Sequence, residues 1–428
     1  MAISSVSALQ RLIGLDQVIE SSTPIHVLIL DTASFDKSHK ELCGSFGTEI
    51  VKNAQKDKDD SHSTTVARVV RASLQHVTLH TCSRSALFFK FAWEIPREIQ
   101  VINMSLNPLV CIDGFNCRSN LHSLCKHTDS LFKVIHSLDS EDYHRQLKDM
   151  EFCHQYHSKA PPKNPLSHRH QKLCPYTLLL SHYAFYDRLT KGNRAFIVAL
   201  GNEAQLVSKN LQYWIKFHPI ISNVELRSRT IFAINIQANG SDLSACSNTP
   251  GTLGRLSICA PGAVFGKKGT SFAAPWISGV IALVRKAFSQ LTAHEACRAV
   301  KRGALPLIIK KGQTILLKSR KHVPRYSKDV IRASFSKYGW GLLDAKGALD
   351  EAAQLVKLRS PKEIVLEYLD DVDLDYADEL CLSELLDRYL PVVDPESLQK
   401  PSFRQKRKKG WKAVDEGSFS SKLCKTTK

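Results

Sequence analysis

Four polar residues stand where chemistry is expected: Asp31, His62, Asn202 and Ser271. Ser271 has the most telling surroundings, the run Gly269-Thr270-Ser271-Phe272-Ala273-Ala274-Pro275-Trp276-Ile277-Ser278-Gly279. The Gly-Thr pair sets a tight turn, and the small and apolar residues after it must form a helix with a proline inside. A serine at a helix mouth exposes its hydroxyl beside unpaired backbone N–H groups. That setting suits a nucleophile whose addition product is an anion. A Gly-x-Ser turn alone is more often a helix start, so the reading depends on partners. His62 is a general base by type, Asp31 a carboxylate able to orient it, and Asn202 an amide donor. Each has an ordinary structural reading as well. An aspartate after a strand commonly forms a turn or a cap, and a lone histidine is more often structural.

The elements that must position these groups are legible as apolar runs. Ile25-His26-Val27-Leu28-Ile29-Leu30-Asp31 reads as a buried parallel strand with the carboxylate at its carboxyl end, where open α/β sheets place their sites. His62 precedes a helical pattern in which Val66, Val69 and Val70 share a face. Val101-Ile102-Asn103-Met104-Ser105-Leu106 predicts another strand, and Phe196-Ile197-Val198-Ala199-Leu200 a strand running into Gly201-Asn202.

In this order and with these flanks, Asp31, His62, Asn202 and Ser271 resemble the subtilisin-like serine proteases. The resemblance extends to Ser244-Ala245-Cys246-Ser247-Asn248, to Cys259-Ala260-Pro261-Gly262, and to Tyr338-Gly339-Trp340-Gly341-Leu342-Leu343-Asp344-Ala345 with Ala348-Leu349 as a closing helix. It implies an α/β fold, a three-layer α/β/α sandwich with a mostly parallel central sheet. It implies roles too. Ser271 attacks a scissile carbonyl, His62 takes and passes on the proton, and Asp31 holds the imidazole tautomer. Asn202 and the Ser271 N–H hold the oxyanion. Ser105, Leu106, Asn107, Ala199, Leu200 and Gly201 are the substrate-binding positions.

The departures from the family pattern fall around the cleft. Ala33 follows Asp31-Thr32 and Ser63 follows His62, where members usually have glycine, and a positive φ at either would carry a steric cost. Asn107 and Pro108 replace the usual glycines in the segment that pairs with an extended substrate. Pro108 removes one donor there, and Leu200 stands where a smaller residue is common. Narrowed specificity, or a degraded enzyme, is the expectation.

A chain of 428 residues that is 43% hydrophobic can bury a large core. The organisation expected is a short extension over 1–24, a catalytic domain over 25–355 with an insertion at about 107–192, and a charged tail over 356–428. No window reads as a transmembrane helix, and the first residues lack a secretory pattern. Twelve cysteines without such a signal point to thiols in a reducing compartment. The expectation is a cytoplasmic protein resembling the intracellular branch of the family, with signal-independent export left open. The extension is either a strap across the cleft or a frayed terminus.

The insertion is rich in histidine and cysteine. Cys153-His154-x-x-His157 and His168-x-His170-x-x-x-Cys174 offer zinc ligands, though their spacing matches no defined finger, and a basic surface insertion is the alternative. A lid or exosite near the cleft is the functional reading. Calcium is common in the family, but no compact acidic loop guarantees it. The triad itself requires no cofactor. In the tail, acidic residues over 361–395 alternate with apolar ones such as Leu369, Leu374 and Leu380. They form either an amphipathic helix docked on the basic domain or a solvated segment. Arg404-Gln405-Lys406-Arg407-Lys408-Lys409 is a targeting address or an anionic-surface patch. The net charge of +18 supports nonspecific contact with nucleic acid or anionic surfaces and no more.

The function expected is a serine endopeptidase acting on protein or peptide substrate through an acyl-enzyme. The alternative is a catalytically silent relative that binds peptides or scaffolds. A nucleic-acid-associated protease is the third reading. Oligomeric state is not encoded legibly.

Overall fold

The computed structural model describes residues 5–18, 20, 22–31, 34–49, 62–83, 95–105, 192–207, 224–317 and 326–357. Seven parallel strands form one sheet: β1 (Ile25–Asp31), β2 (Phe46–Glu49), β3 (Val77–Ser83), β4 (Ile99–Met104), β5 (Ala195–Ala199), β6 (Thr230–Ile236) and β7 (Ser257–Pro261). Their order is β2-β3-β1-β4-β5-β6-β7, every pair parallel. The near-continuous apolar runs follow from burial on both faces: every residue of β5, β6 and β7 is buried. The chain leaves β1 toward β3 and β2, then crosses to β4 on the other side. The carboxyl ends of β1 and β4 therefore flank the point where strand order reverses, the usual place for a site in such sheets.

The helices are α1 (Val6–Leu12), α2 (His62–Ser73), α3 (Val224–Ser228), α4 (Thr270–Ala287), α5 (Ala293–Gly303), α6 (Lys328–Tyr338) and α7 (Ala345–Lys357). Two short antiparallel pairs join them, β8 (Ala263–Val264) with β9 (Lys267–Lys268) and β10 (Leu307–Lys310) with β11 (Gln313–Leu316). The fold class is the one expected, helices layered on a parallel sheet.

Helix α4 is apolar nearly all round and almost wholly buried, as a central helix must be. It and α2 lie on one face of the sheet. Asp31 bonds to His62 of α2, and Asn103, in register with Ile29 two residues earlier on the same side of β1, bonds to Ser278 of α4. The two helices approach closely at Gly279, where an added Cβ would fall 1.9 Å from the Ser73 hydroxyl. Each helix thus carries a candidate functional residue in its first turn, over the same sheet edge.

Helix α1 is docked. Leu9 and Ile13 are fully buried, the Gln10 amide donates to the Ala72 carbonyl at 2.7 Å, and the Ala345 N–H donates to the Ile13 carbonyl at 2.8 Å. Glu20 pairs with Lys286 at 2.7 Å. Ala72 lies ten residues beyond His62, about 15 Å along α2. Residues 5–18 therefore sit at the far ends of the helices, away from His62 and Ser271.

Candidate active site

Asp31 ends β1 fully buried, and one oxygen accepts from His62 Nδ1 at 2.8 Å. The carboxylate can only accept, so Nδ1 carries the hydrogen, and in the neutral imidazole Nε2 is the acceptor nitrogen. The His62 side chain is 36% exposed. Phe272, beside Ser271, packs its buried ring 5.2 Å from the imidazole. This contact brings the mouth of α4 against His62. Ser63, flagged by its place after the histidine, is a buried helical residue and not at positive φ, so the steric cost does not arise there.

Ser271 is the second residue of α4. The turn before it is tight: Gly269 has φ 152°, its N–H donates to the Gly262 carbonyl at 2.9 Å, and a Cβ on Gly262 would lie 2.3 Å from the Gly269 carbonyl oxygen. The Ser271 hydroxyl makes no hydrogen bond among the described residues.

Asn202 follows β5 and is exposed. Its Oδ1 accepts the Thr270 N–H at 2.8 Å and lies 3.2 Å from the Thr270 hydroxyl, which in turn accepts the Gly201 N–H at 3.1 Å. One end of the amide is thus spent on the first N–H of α4, and Nδ2 faces the other way. Gly201 sits at φ 111°, a conformation that suits glycine. Asn248 clamps the loop, accepting the Glu203 and Gln205 N–H groups on Oδ1 and donating Nδ2 to the Leu200 carbonyl. Ala204 is held at φ 53°, a strained conformation for a residue with a Cβ.

The remaining substrate-binding positions divide. Ser105, Ala199, Leu200 and Gly201 lie at the carboxyl ends of β4 and β5, all buried. The side chains of Ser105, Ala199 and Leu200 are buried. The Ser105 hydroxyl is already engaged, donating to the Ser271 carbonyl at 2.7 Å. Leu106, Asn107, Pro108, Ala33, the His/Cys-rich insertion and the charged tail lie outside the described residues.

Sequence reasoning missed Asn103, Asn248, Phe272 and Ser278 as parts of this arrangement. It missed a clamp as well. Arg68 of α2 holds Glu41 through two hydrogen bonds, 2.8 and 2.9 Å, and stacks 3.7 Å from the Phe265 ring. Phe265 and Gly266, both at positive φ, form the tip of the β8–β9 hairpin that leads to Ser271. Arg68 thereby ties the helix of His62 to the approach of Ser271. A polar residue inside an apolar strand was the available signal for Asn103.

One group among the described residues has metal-ligand chemistry: His26, His80 and Glu98. Two nitrogens and one carboxylate do not fit calcium, which takes oxygen ligands. His80 Nδ1 accepts the Thr48 N–H at 3.1 Å, so Nε2 carries the hydrogen and points at His26 Nδ1, 2.9 Å away. A protonated Nε2 is not a ligand, and the pair reads as a hydrogen-bond chain on the sheet face opposite Asp31.

The model of the subtilase family (peptidase S8) matches residues 25–341. No curated protein matches the chain. Among solved structures, the prenylagaramide maturation protease PagA is similar over 81% of this chain and 98% of its own, at 14% identity and a TM-score of 0.42. A lanthipeptide protease is similar over 81% and 92%, at 14% identity and a TM-score of 0.44. The MycP3 protease of the type VII (ESX-3) secretion system is similar over 82% and 89%, at 14% identity and a TM-score of 0.42.

Proposed function

The chain belongs to the subtilase family of serine-type peptidases, and from that premise we propose an endopeptidase that cleaves peptide bonds through an acyl-enzyme on Ser271. The hydroxyl of Ser271 attacks the scissile carbonyl while His62 Nε2 removes its proton. Asp31, buried against Nδ1, stabilises the imidazolium that forms. The tetrahedral oxyanion lies between the Ser271 N–H and Asn202 Nδ2. Collapse expels the amine with the proton from His62, and water, activated by the same imidazole, releases the acid.

The observation that carries the reading is the 2.8 Å Asp31–His62 bond, which puts the hydrogen on Nδ1 and makes Nε2 the basic nitrogen. Asn202 supports it, because its pinned Oδ1 leaves only a donor end to meet an anion. The main chain of Ser105 and of Ala199, Leu200 and Gly201 lines the peptide cleft in this reading, with Leu106 and Asn107 assigned to it by the family resemblance alone. Every step uses protein groups alone. Calcium and zinc remain family and insertion expectations with no role in the steps. No described helix is long and apolar enough to cross a membrane. A cytoplasmic setting is proposed from the cysteines, of which Cys43, Cys246, Cys259 and Cys297 are thiols.

A fluorophosphonate probe tests the proposal. The wild type labels covalently, and Ser271→Ala abolishes the label. A folded wild type that resists serine-directed probes and cuts no peptide is instead the silent peptide-binding relative.

A further inference from the structure

In an α-helix the N–H of residue i+4 bonds the carbonyl of residue i, and proline has no N–H to give. Pro275 stands four residues after Ser271. The Ser271 carbonyl therefore lacks its helical partner, and it lies in a part-buried place where an unmet acceptor is costly. The Ser105 hydroxyl supplies the missing donor at 2.7 Å. That hydroxyl has a single hydrogen, so toward Asn103 it can only accept, and Asn103 Nδ2 donates to it at 2.9 Å. Asn103 Oδ1 accepts from the Ser278 hydroxyl, also at 2.9 Å, and the Ala274 carbonyl shares that hydrogen at 3.1 Å. Ser278 lies two turns beyond Ser271 on α4. Asn103 is fully buried and Ser105 is 2% exposed.

One amide in β4 thus grips α4 at two points two turns apart, the nearer grip passing through Ser105 to the residue proposed as nucleophile. We propose that Asn103 and Ser105 are positioning residues for Ser271. They fix its height above the sheet, and with it the aim of its hydroxyl and its N–H. Pro275 makes the device necessary by freeing the carbonyl that Ser105 takes. The inference rests on Ser271 being the nucleophile.

The test measures the second-order rate of fluorophosphonate labelling, with kcat and KM on a peptide substrate, in Ser105→Ala, Pro275→Ala and the double variant. Ser105→Ala is expected to lower labelling and kcat by about 10- to 100-fold, the penalty for a small misplacement of a reacting group, with KM within about twofold. Pro275→Ala gives the Ser271 carbonyl a helical N–H. In that background Ser105→Ala is expected to cost less than about threefold, because the hydroxyl is no longer needed. Wild-type labelling by Ser105→Ala, or an equal loss in both backgrounds, overturns the proposal. Asn103→Leu is the second variant. It removes both the donor facing Ser105 and the acceptor facing Ser278 at similar volume. It should reproduce the kcat loss in folded protein, and full activity there overturns the proposal too. A wild type that does not label removes the serine-nucleophile reading itself, an outcome distinct from wild-type rates in the variants.

Discussion

Asn202 Oδ1 accepts the N–H of Thr270 at 2.8 Å, so the helix that carries Ser271 fixes which end of the Asn202 amide faces outward. The outward end is a donor, and only a donor stabilises a developing oxyanion. Asn202→Ala is expected to lower kcat by about 100- to 1000-fold, with KM little changed; the magnitude is borrowed from this same family. Asn202→Asp keeps the acceptor for Thr270 and places an acidic oxygen where negative charge develops. Steady-state kinetics should therefore show it no better than the alanine variant. An aspartate variant with near-normal kcat would refute the oxyanion assignment.

Asp31 determines the His62 tautomer because its carboxylate accepts from Nδ1. Asp31→Asn presents an N–H in its place, and the imidazole must turn or move its hydrogen to Nε2, where it can no longer accept from Ser271. A loss of about 10⁴-fold in kcat at neutral pH is expected, the size found in proteases with this constellation. Active-site-normalised kinetics check it, with circular dichroism to confirm folding.

The residues that do the proposed chemistry were legible because each ends or begins an apolar run: Asp31 closes a strand, His62 and Ser271 open helices, and Asn202 follows a strand. Such junctions are visible in one dimension. The supports were not. Asn103 could be seen as a polar residue within a strand, but its bond to Ser278 spans 175 positions and depends on how α4 lies along the sheet. Asn248 sat in a quoted motif, yet its hold on the 200–205 loop appears only once β6 brings the two loops together. Ser63 raised a concern over backbone strain that its helical conformation removes. The N-terminal extension allowed two readings because nothing in residues 1–24 names the surface that receives them; the burial of Leu9 and Ile13 appears only in the fold.

Gly279 is the contact that lets α2 and α4 lie close enough for their first turns to share a site. A methyl group there would meet the Ser73 hydroxyl, itself bonded to the Val69 and Val70 carbonyls. Gly279→Ala gains helix propensity, but overpacking outweighs it. A net loss of about 1–3 kcal/mol is expected by urea denaturation. Ser73→Gly in the same chain opens the space and should recover most of that loss, whereas a Gly279→Ala protein as stable as wild type would show the crossing to be loose.

His80 makes stability fall in mild acid. It is 2% exposed, and its ring lies over Gly47. Burial, and the neighbouring His26, push its pKa from 6.5 down to about 4, against a smaller opposing pull from Glu98. The hydrogen-bond chain gives the same answer, since a proton on Nδ1 would face the Thr48 N–H. The folded state keeps His80 neutral while the unfolded chain charges it below pH 6.5. Unfolding therefore takes up a proton, and stability falls as pH drops from 6.5, by about 3 kcal/mol on reaching pH 4. Glu20, Glu41 and Asp242, whose carboxyls are held below their usual values, lose their contributions only at lower pH. Urea midpoints at pH 7.5, 6 and 5 lie above the range of those carboxyls, and a His80→Phe variant separates His80 from the other histidines. In His80→Phe the protein is less stable at pH 7.5 but its midpoint changes little down to pH 5. An equally steep fall in the variant would move the acid sensitivity to other groups.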